Sequence, residues 1–122
     1  MIFKRQNIEY RLTDVSKADS KGNFWGMNFF WPGERDLLKP DKDNLVDKLD
    51  NGKTHQRFEH VEQLLHFKVN RDMIVRTSKP PIQLELEKES RNWEGVAMLD
   101  NIGFLLIVDE YPRTIFSYLP IR

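Results

Sequence analysis

The sequence predicts a mainly β protein, in which antiparallel sheets are joined by short turns and interrupted by one short helix. Three observations lead to this fold class. Apolar and polar residues alternate over several short segments, which is the period of strands with one buried face. Gly, Pro and Asn separate these segments. The 122 residues contain no low-complexity tract or linker, so we expect one β-rich domain, 1–122, with units at about 8–77 and 82–121.

The first unit opens with two predicted strands. Alternating apolar and polar residues over 8–12 predict a strand with one buried face, and the polar stretch 14–23 predicts a loop. Five aromatic residues then fall within 24–31, a density typical of a strand buried on both faces, and Pro32-Gly33 ends it. A core or interface role for these aromatics is favoured over an exposed platform for bases or sugars.

A helix and a hairpin complete the first unit. Asp41 fits a helix N-cap and Asn51-Gly52 fits a C-terminal stop, which predicts a short helix over Pro40–Gly52. Two apolar runs within 61–77 flank the turn residues 70–72, which predicts a β-hairpin.

The second unit is predicted to consist of four strands. After Pro80-Pro81, apolar residues alternate with polar ones over 82–86. Further strand patterns cover 95–99, 104–109 and 114–119. The sequence therefore predicts eight short strands and one helix.

Composition excludes several classes of function. Lys plus Arg and Asp plus Glu both total 19, so the chain lacks the positive field of a typical nucleic-acid-binding protein. Cysteine is absent, which excludes a disulfide scaffold, a thiolate metal site and a cysteine nucleophile. We find no signal-peptide pattern and no apolar run long enough to cross a membrane. The chain is therefore expected to be soluble, and its compartment is left open.

An internal echo suggests a repeated sheet. Residues 24–32 read FWGMNFFWP and residues 104–112 read FLLIVDEYP, so each begins with Phe and ends with an aromatic residue followed by Pro. Repeated four-stranded sheets are the building units of β-propellers. The fold expected from this echo is about two propeller-like antiparallel blades with the helix inserted.

The C-terminal part of the chain resembles a known family. Residues 92–120, NWEGVAMLDNIGFLLIVDEYPRTIFSYLP, resemble a blade of the bacterial β-propellers called phytase-like esterases, and looser similarity extends to 80–86 and 22–30. The resemblance implies that Glu94 and Asp109 lie near a polar or metal-binding channel mouth. Asn28 is the candidate ligand-binding residue in the first of the two similar segments, 24–32. A complete propeller needs about four to eight blades, which is more than this chain supplies.

Two functions follow from this interpretation. Two blades would expose long edges and an aromatic face, so we expect a self-associating binding or scaffold module, a homo-oligomer with a possible small-molecule ligand. The alternative is a cation-dependent phosphate-ester or carboxyl-ester hydrolase. In that case Glu94 and Asp109 would hold a calcium ion, and His55 would be the catalytic base. Asp100 and Glu110 are further oxygen donors, although no single loop has the density that calcium requires.

The three histidines, His55, His60 and His66, lie within twelve residues of one another. Their spacings spread them around a helix axis, and in a strand His66 points away from Phe67, so a zinc triad is disfavoured. A single catalytic or ligand-orienting histidine is the better hypothesis, with His55 in a loop after Gly52 as the candidate.

A second alternative rests on the last hairpin, which resembles that of barnase-like ribonucleases. In such an enzyme His60 and Arg113 could serve as base and phosphate ligand. A ribonuclease toxin, or the protein inhibitor of one, predicts a single twisted sheet packed on a helix, and the zero net charge weakens the toxin hypothesis.

Overall fold

A computed structural model of the chain describes residues 4–5, 8, 10–34, 54–55, 57–109 and 113–121. The protein is mainly β, as predicted. The strands are β1 (Lys4–Arg5), β2 (Arg11–Val15), β3 (Asn23–Phe30), β4 (Val61–Asn70), β5 (Met73–Arg76), β6 (Ile82–Gln83), β7 (Gly95–Leu99), β8 (Gly103–Val108) and β9 (Ile115–Pro120). The predicted helix over 40–52 lies outside the described residues, as does Glu110. Among the described residues, helical structure is confined to the 3-10 turn Pro32–Glu34, and no helix could cross a membrane.

The strands form two sheets. The large sheet has the order β1-β5-β4-β3-β2, with β6 also pairing with β4, and the small sheet has the order β7-β8-β9. All neighbours are antiparallel except β1 and β5. The sheets thus contain six and three strands instead of two sets of four. Because β6 pairs with β4, residues 82–83 belong with the first sheet and not with the second unit. The propeller stays a prediction from the resemblance.

Both segments of the internal echo occupy interior positions. β3 lies between β2 and β4, and β8 lies between β7 and β9. An interior strand is hydrogen-bonded to a neighbour on each side, and apolar and aromatic residues are favoured there. The similar sequences therefore match similar positions in the two sheets.

The main hydrophobic core lies between the two sheets. The Trp25 and Phe104 rings meet edge to face, with centroids 5.7 Å apart. The large sheet contributes Trp25, Met27, Leu64 and the adjacent Leu84, and the second half of the chain contributes Trp93, Val96, Phe104, Leu106 and Val108. Polar contacts join the sheets at one side of this core, where Thr13 Oγ1 donates to the Trp93 carbonyl at 2.6 Å and the Val96 amide donates to Asp14 Oδ2 at 2.8 Å.

The opposite face of the large sheet is also buried. Phe24 and Phe67 stack there with centroids 5.5 Å apart, next to Leu65 and Ile8. Gly26 makes this packing possible, because a Cβ at that position would lie 3.0 Å from the Phe67 ring. Residues 25–30 are all buried, which confirms the two-sided burial predicted for this strand, but Trp31 is 51% exposed.

The hairpin predicted over 61–77 is present, and its turn lies at the predicted turn residues. In the 61–77 hairpin, Asn70 pairs with Met73, and Arg71 adopts a φ of 59° in the two-residue turn. Two other predicted strands change their bounds. The strand predicted over 8–12 instead begins at Arg11, because pairing with β3 begins there. The strand predicted over 82–86 is limited to the two residues that pair with β4.

Candidate functional site

Asn28 is buried in the large sheet and its amide is satisfied there. Its Nδ2 donates to the Arg11 carbonyl at 3.2 Å, and its Oδ1 accepts a hydrogen bond from Gln63 Nε2 at 2.8 Å. The side chain is 1% exposed. These contacts make Asn28 a cross-strand polar anchor of the large sheet, and its role in ligand binding stays a prediction.

Glu94 and Asp109 flank the same end of the β7–β8 pair, and both are exposed. The Glu94 amide donates to the Ile107 carbonyl at 2.9 Å, and its Oε1 accepts from Asn92 Nδ2 at 3.2 Å. The Asp109 carbonyl accepts from Thr114 Oγ1 at 2.6 Å. In the described part of the chain, no group of three or more His, Cys, Asp and Glu could hold a metal ion. A calcium site at Glu94 and Asp109 stays a prediction.

The structure separates the three histidines. His66 lies between the sheets, where its Nδ1 is 2.7 Å from Thr77 Oγ1 and its ring meets the edge of Trp25. His55 and His60 instead lie beside the start of β4, next to Glu62.

Glu62 is the central residue of this region and was not predicted as a site residue. Its side chain is fully buried on the core face of β4. Oε1 accepts hydrogen bonds from Trp93 Nε1 at 2.6 Å and from Arg91 Nε at 2.9 Å. Arg91 is held in turn by the Glu85 carbonyl, to which its Nη2 donates at 2.5 Å, and its guanidinium lies over the Trp93 ring. We call Glu62, Arg91 and Trp93 the Glu62 cluster.

Burial raises the pKa of Glu62, because the charged carboxylate loses hydration, and the Arg91 guanidinium acts against this effect. The sequence gives one signal for the cluster: Glu62 is a charged residue two positions before the apolar Leu64, so both lie on the same face of β4. The partner that explains it, Arg91, comes 29 positions later, in the charged stretch that follows β6. Periodicity therefore marks Glu62 as unusual but does not supply its partner.

His55 is held by its contact with β4. Its Nε2 accepts a hydrogen bond from the Glu62 amide at 3.3 Å, and its buried Nδ1 has no hydrogen-bond partner among the described residues. Burial lowers the pKa of His55, and the nearby His60 adds to this shift. The imidazole lone pair that a general base would use is thus engaged with the backbone, which is a structural contact.

The buried histidines make stability depend on pH. Burial lowers the pKa of both His55 and His66, so the folded state binds fewer protons than the unfolded state near pH 6. This contribution to the free energy of unfolding is complete above the ordinary histidine pKa, about 6.5, and is lost as the pH falls through the folded-state values.

Urea unfolding between about pH 7.5 and about pH 5.5 tests this expectation. Stability should fall with pH in the wild type, and the fall should be smaller in His55→Asn. Glu62 is present in both proteins, and its raised pKa changes stability with pH in the opposite direction. The difference between the two pH profiles therefore reports the contribution of His55 alone. Parallel pH profiles for the two proteins would contradict the prediction.

A cavity of about 590 Å³ opens beside the Glu62 cluster. His60, 6% exposed, lies in its wall, and its Nε2 is 3.6 Å from Glu62 Oε2, too far for a hydrogen bond. Half-exposed Trp31 forms another wall. The remaining lining residues are Arg11, Phe29, Pro32, Glu34, Lys88, Glu89, Ser90 and Asn92. Neither Glu94 nor Asp109 lines this cavity.

Arg11 is fixed within the cavity wall. Its Nη2 forms an ion pair with Glu34 Oε1 at 2.9 Å and donates to Asn92 Oδ1 at 3.3 Å. Its guanidinium also lies over the Phe29 ring, 5.1 Å from the centroid. The Nε atom is buried and has no hydrogen-bond partner among the described residues. Two residues of the cavity wall, Arg11 and His60, thus each carry a buried nitrogen that has no hydrogen-bond partner among the described residues, Arg11 Nε and His60 Nε2.

Comparison of the chain with protein-family models, with curated proteins and with solved structures gave no match.

Proposed function

We propose that this protein is a noncatalytic binding module, and that it holds a small ligand in the cavity between Trp31 and His60. The observation that carries the proposal is that two residues lining one cavity, Arg11 and His60, each have a buried nitrogen without a hydrogen-bond partner in the described part of the chain. A buried polar group without a partner costs about 1–3 kcal/mol, so native proteins rarely leave such groups unpaired. A ligand that brings hydrogen-bond acceptors would satisfy them.

The chemistry of the walls specifies the ligand class. Arg11 Nε is a donor only, so its partner must be an acceptor such as a carbonyl or carboxylate oxygen. Glu34 is neutralised by its ion pair with Arg11, and Lys88 and Glu89 at the cavity balance each other in formal charge. The cavity thus has no strong net field, which favours a neutral or singly charged molecule over a polyanion.

Trp31 supplies a flat surface for a ring. The Trp31 indole folds over Gly33, where an added Cβ would lie 2.3 Å from the ring. The Glu34 amide donates to the Trp31 carbonyl at 2.8 Å, which closes the turn that holds this geometry. Aromatic rings bind other rings by offset stacking or edge contacts. We therefore propose a small ring compound that carries a carbonyl or carboxylate group.

Engagement of the acid and base groups supports binding over catalysis. The Glu62 carboxylate accepts from Trp93 and Arg91, and His55 Nε2 accepts from the Glu62 amide. A general base needs a free lone pair within reach of the proton that it removes. Glu62 and His55 are therefore occupied by structural hydrogen bonds.

Tryptophan fluorescence tests the proposal, because Trp31 is half exposed whereas Trp25 and Trp93 are buried. Benzoate and nicotinamide are the probes, and toluene is the aromatic ring control without a hydrogen-bond acceptor. We expect a saturable emission change with benzoate or nicotinamide that is absent in Trp31→Phe. His60→Ala should weaken binding about tenfold, the equivalent of about 1.4 kcal/mol. His66→Gln is the matched histidine control, since His66 lies between the sheets.

Gly33→Ala provides an independent test, because it displaces the indole without changing any atom of Trp31. It should weaken probe binding while the free energy of unfolding changes little. Equal affinity for toluene and benzoate would overturn the role of the two nitrogens. Calcium-dependent hydrolysis of p-nitrophenyl phosphate, lost in E94Q/D109N, would favour the hydrolase hypothesis over a noncatalytic module.

A further inference from the structure

The outer edge of β9 is unpaired. Its inner edge is bonded to β8, and within the described residues no strand pairs with its other edge. Phe116 is 66% exposed and Tyr118 is 50% exposed, and both lie on the face of the small sheet that points away from the core. This strand therefore offers free backbone groups together with two aromatic side chains.

The hydrogen-bond alternation identifies which backbone groups are free. The Ile121 amide donates to the Ile102 carbonyl at 3.0 Å, next to the Gly103–Pro120 pair. In an antiparallel ladder every second residue of an edge strand directs both its N–H and its C=O to the same side. Leu119 and Ser117 therefore face β8, and Phe116 and Tyr118 direct their backbone groups outward.

In the part of the chain that the structure describes, β9 also lacks the protection that the other edges have. Natural sheets blunt their edges with charged residues, bulges or covering segments. β2 contains Arg11 and Asp14 with a bulge between Leu12 and Asp14, and β7 is covered where its Val96 amide bonds Asp14. β1 is a Lys-Arg pair, and β6 has only two residues. The sequence of β9, IFSYLP, contains no charge.

We propose that β9 pairs with β9 of a second copy of this chain, antiparallel about a two-fold axis at Ser117. Phe116 of one copy then lies opposite Tyr118 of the other, and each such pair exchanges two backbone hydrogen bonds. The two small sheets join into one continuous six-stranded sheet. The pairing is self-complementary, as a two-fold interface requires.

Pro120 selects this register over its neighbour. A shift that placed Tyr118 opposite Tyr118 would put Phe116 opposite Pro120, which has no N–H to donate. The register centred on Ser117 uses every outward donor and acceptor of Phe116 and Tyr118. It also places Phe and Tyr side chains directly opposite each other, a favourable cross-strand pair.

Charge is not an obstacle to this interface. Two copies can approach because the formal net charge of the chain is zero, and β9 itself carries no charged side chain. A partner strand with like charges opposite each other would be repelled. The same reasoning gives the disruptive variant, since F116K/Y118K places lysines opposite lysines across the two-fold axis.

The test combines light scattering with amide hydrogen exchange over a concentration series. Wild type should approach twice the chain mass of 14.6 kDa as concentration rises, and F116K/Y118K should stay at the mass of one chain. The Ile107→Lys variant is the matched control, because Ile107 lies on the same exposed face but on the interior strand β8. It should retain the dimer.

Hydrogen exchange distinguishes edge pairing from other contacts. The Phe116 and Tyr118 amides should become protected as concentration rises, while the Ser117 and Leu119 amides are protected at all concentrations. A wild type that stays monomeric throughout would overturn the proposal. So would a dimer whose Phe116 and Tyr118 amides exchange freely, because its interface would be the sheet face and not the edge. Neither result bears on ligand binding at Trp31, since the two sites share no residue.

Discussion

Glu62→Ala is expected to lower the free energy of unfolding by about 3–5 kcal/mol. The variant removes the acceptor for Trp93 Nε1 and Arg91 Nε, and it leaves the guanidinium largely buried without its main partner. Breaking a buried pair from one side costs more than the pair contributes, because the remaining charge has lost its water. The methylene groups of Glu62 also leave a cavity at the edge of the core.

Urea unfolding of Glu62→Ala should be compared with two other variants. Glu62→Gln retains an acceptor oxygen, so its loss should be smaller. Glu87→Gln is the surface control, because the Glu87 side chain is 75% exposed and its Oε1 lies 3.8 Å from Arg91 Nη1. Exposed ion pairs contribute below about 1 kcal/mol. Equal losses for Glu62→Ala and Glu87→Gln would show that the Glu62 cluster does not stabilise the fold.

Phe104→Ala is expected to cost about 3–5 kcal/mol through a cavity in the core between the sheets. Phe104 is 0% exposed and its ring meets Trp25 of the opposite sheet edge to face. The truncation therefore removes contacts on which the association of the two sheets depends. In urea unfolding the midpoint should fall while the slope with denaturant stays unchanged, provided that the transition remains two-state.

Ile107→Ala is the matched control for this variant. Ile107 lies on the same strand but on its outer face, 36% exposed, so its truncation should cost much less than that of Phe104. If Phe104→Ala fails to fold, Phe104→Leu retains most of the volume and provides a measurable smaller loss. A Phe104→Ala loss no greater than that of Ile107→Ala would contradict the assignment of this core.

The strands were predictable from sequence where local chemistry determines them. The alternation and turn residues of 61–77 and of 95–120 gave strand positions close to those observed. The strands of 8–15 and 82–86 were less well placed, because their bounds depend on pairing with β3 and β4. Pairing partners are set by the whole fold, and a short window of sequence does not contain them.

The candidate site was less accessible to sequence reasoning. The sequence makes His60 a candidate, but it places Trp31 among the core aromatics. The exposure of Trp31 follows from the turn after β3, and the residue type alone does not indicate it. Glu62 lies on β4 and Arg91 lies in the segment before β7, so their ion pair forms only in the folded protein. Motif spacing cannot supply such a contact, since it joins charges from two separate stretches of chain.

The contacts of Trp93 have a consequence for how the protein folds. Its indole and its carbonyl bond different strands of the large sheet, through Glu62 and Thr13, just before the small sheet begins. The Glu62 carboxylate has these hydrogen-bond partners only when the segment that contains Trp93 is folded against the large sheet. The buried apolar residues of the small sheet pack in the core that they share with the large sheet. We therefore expect the two sheets to gain and lose their structure in one cooperative transition.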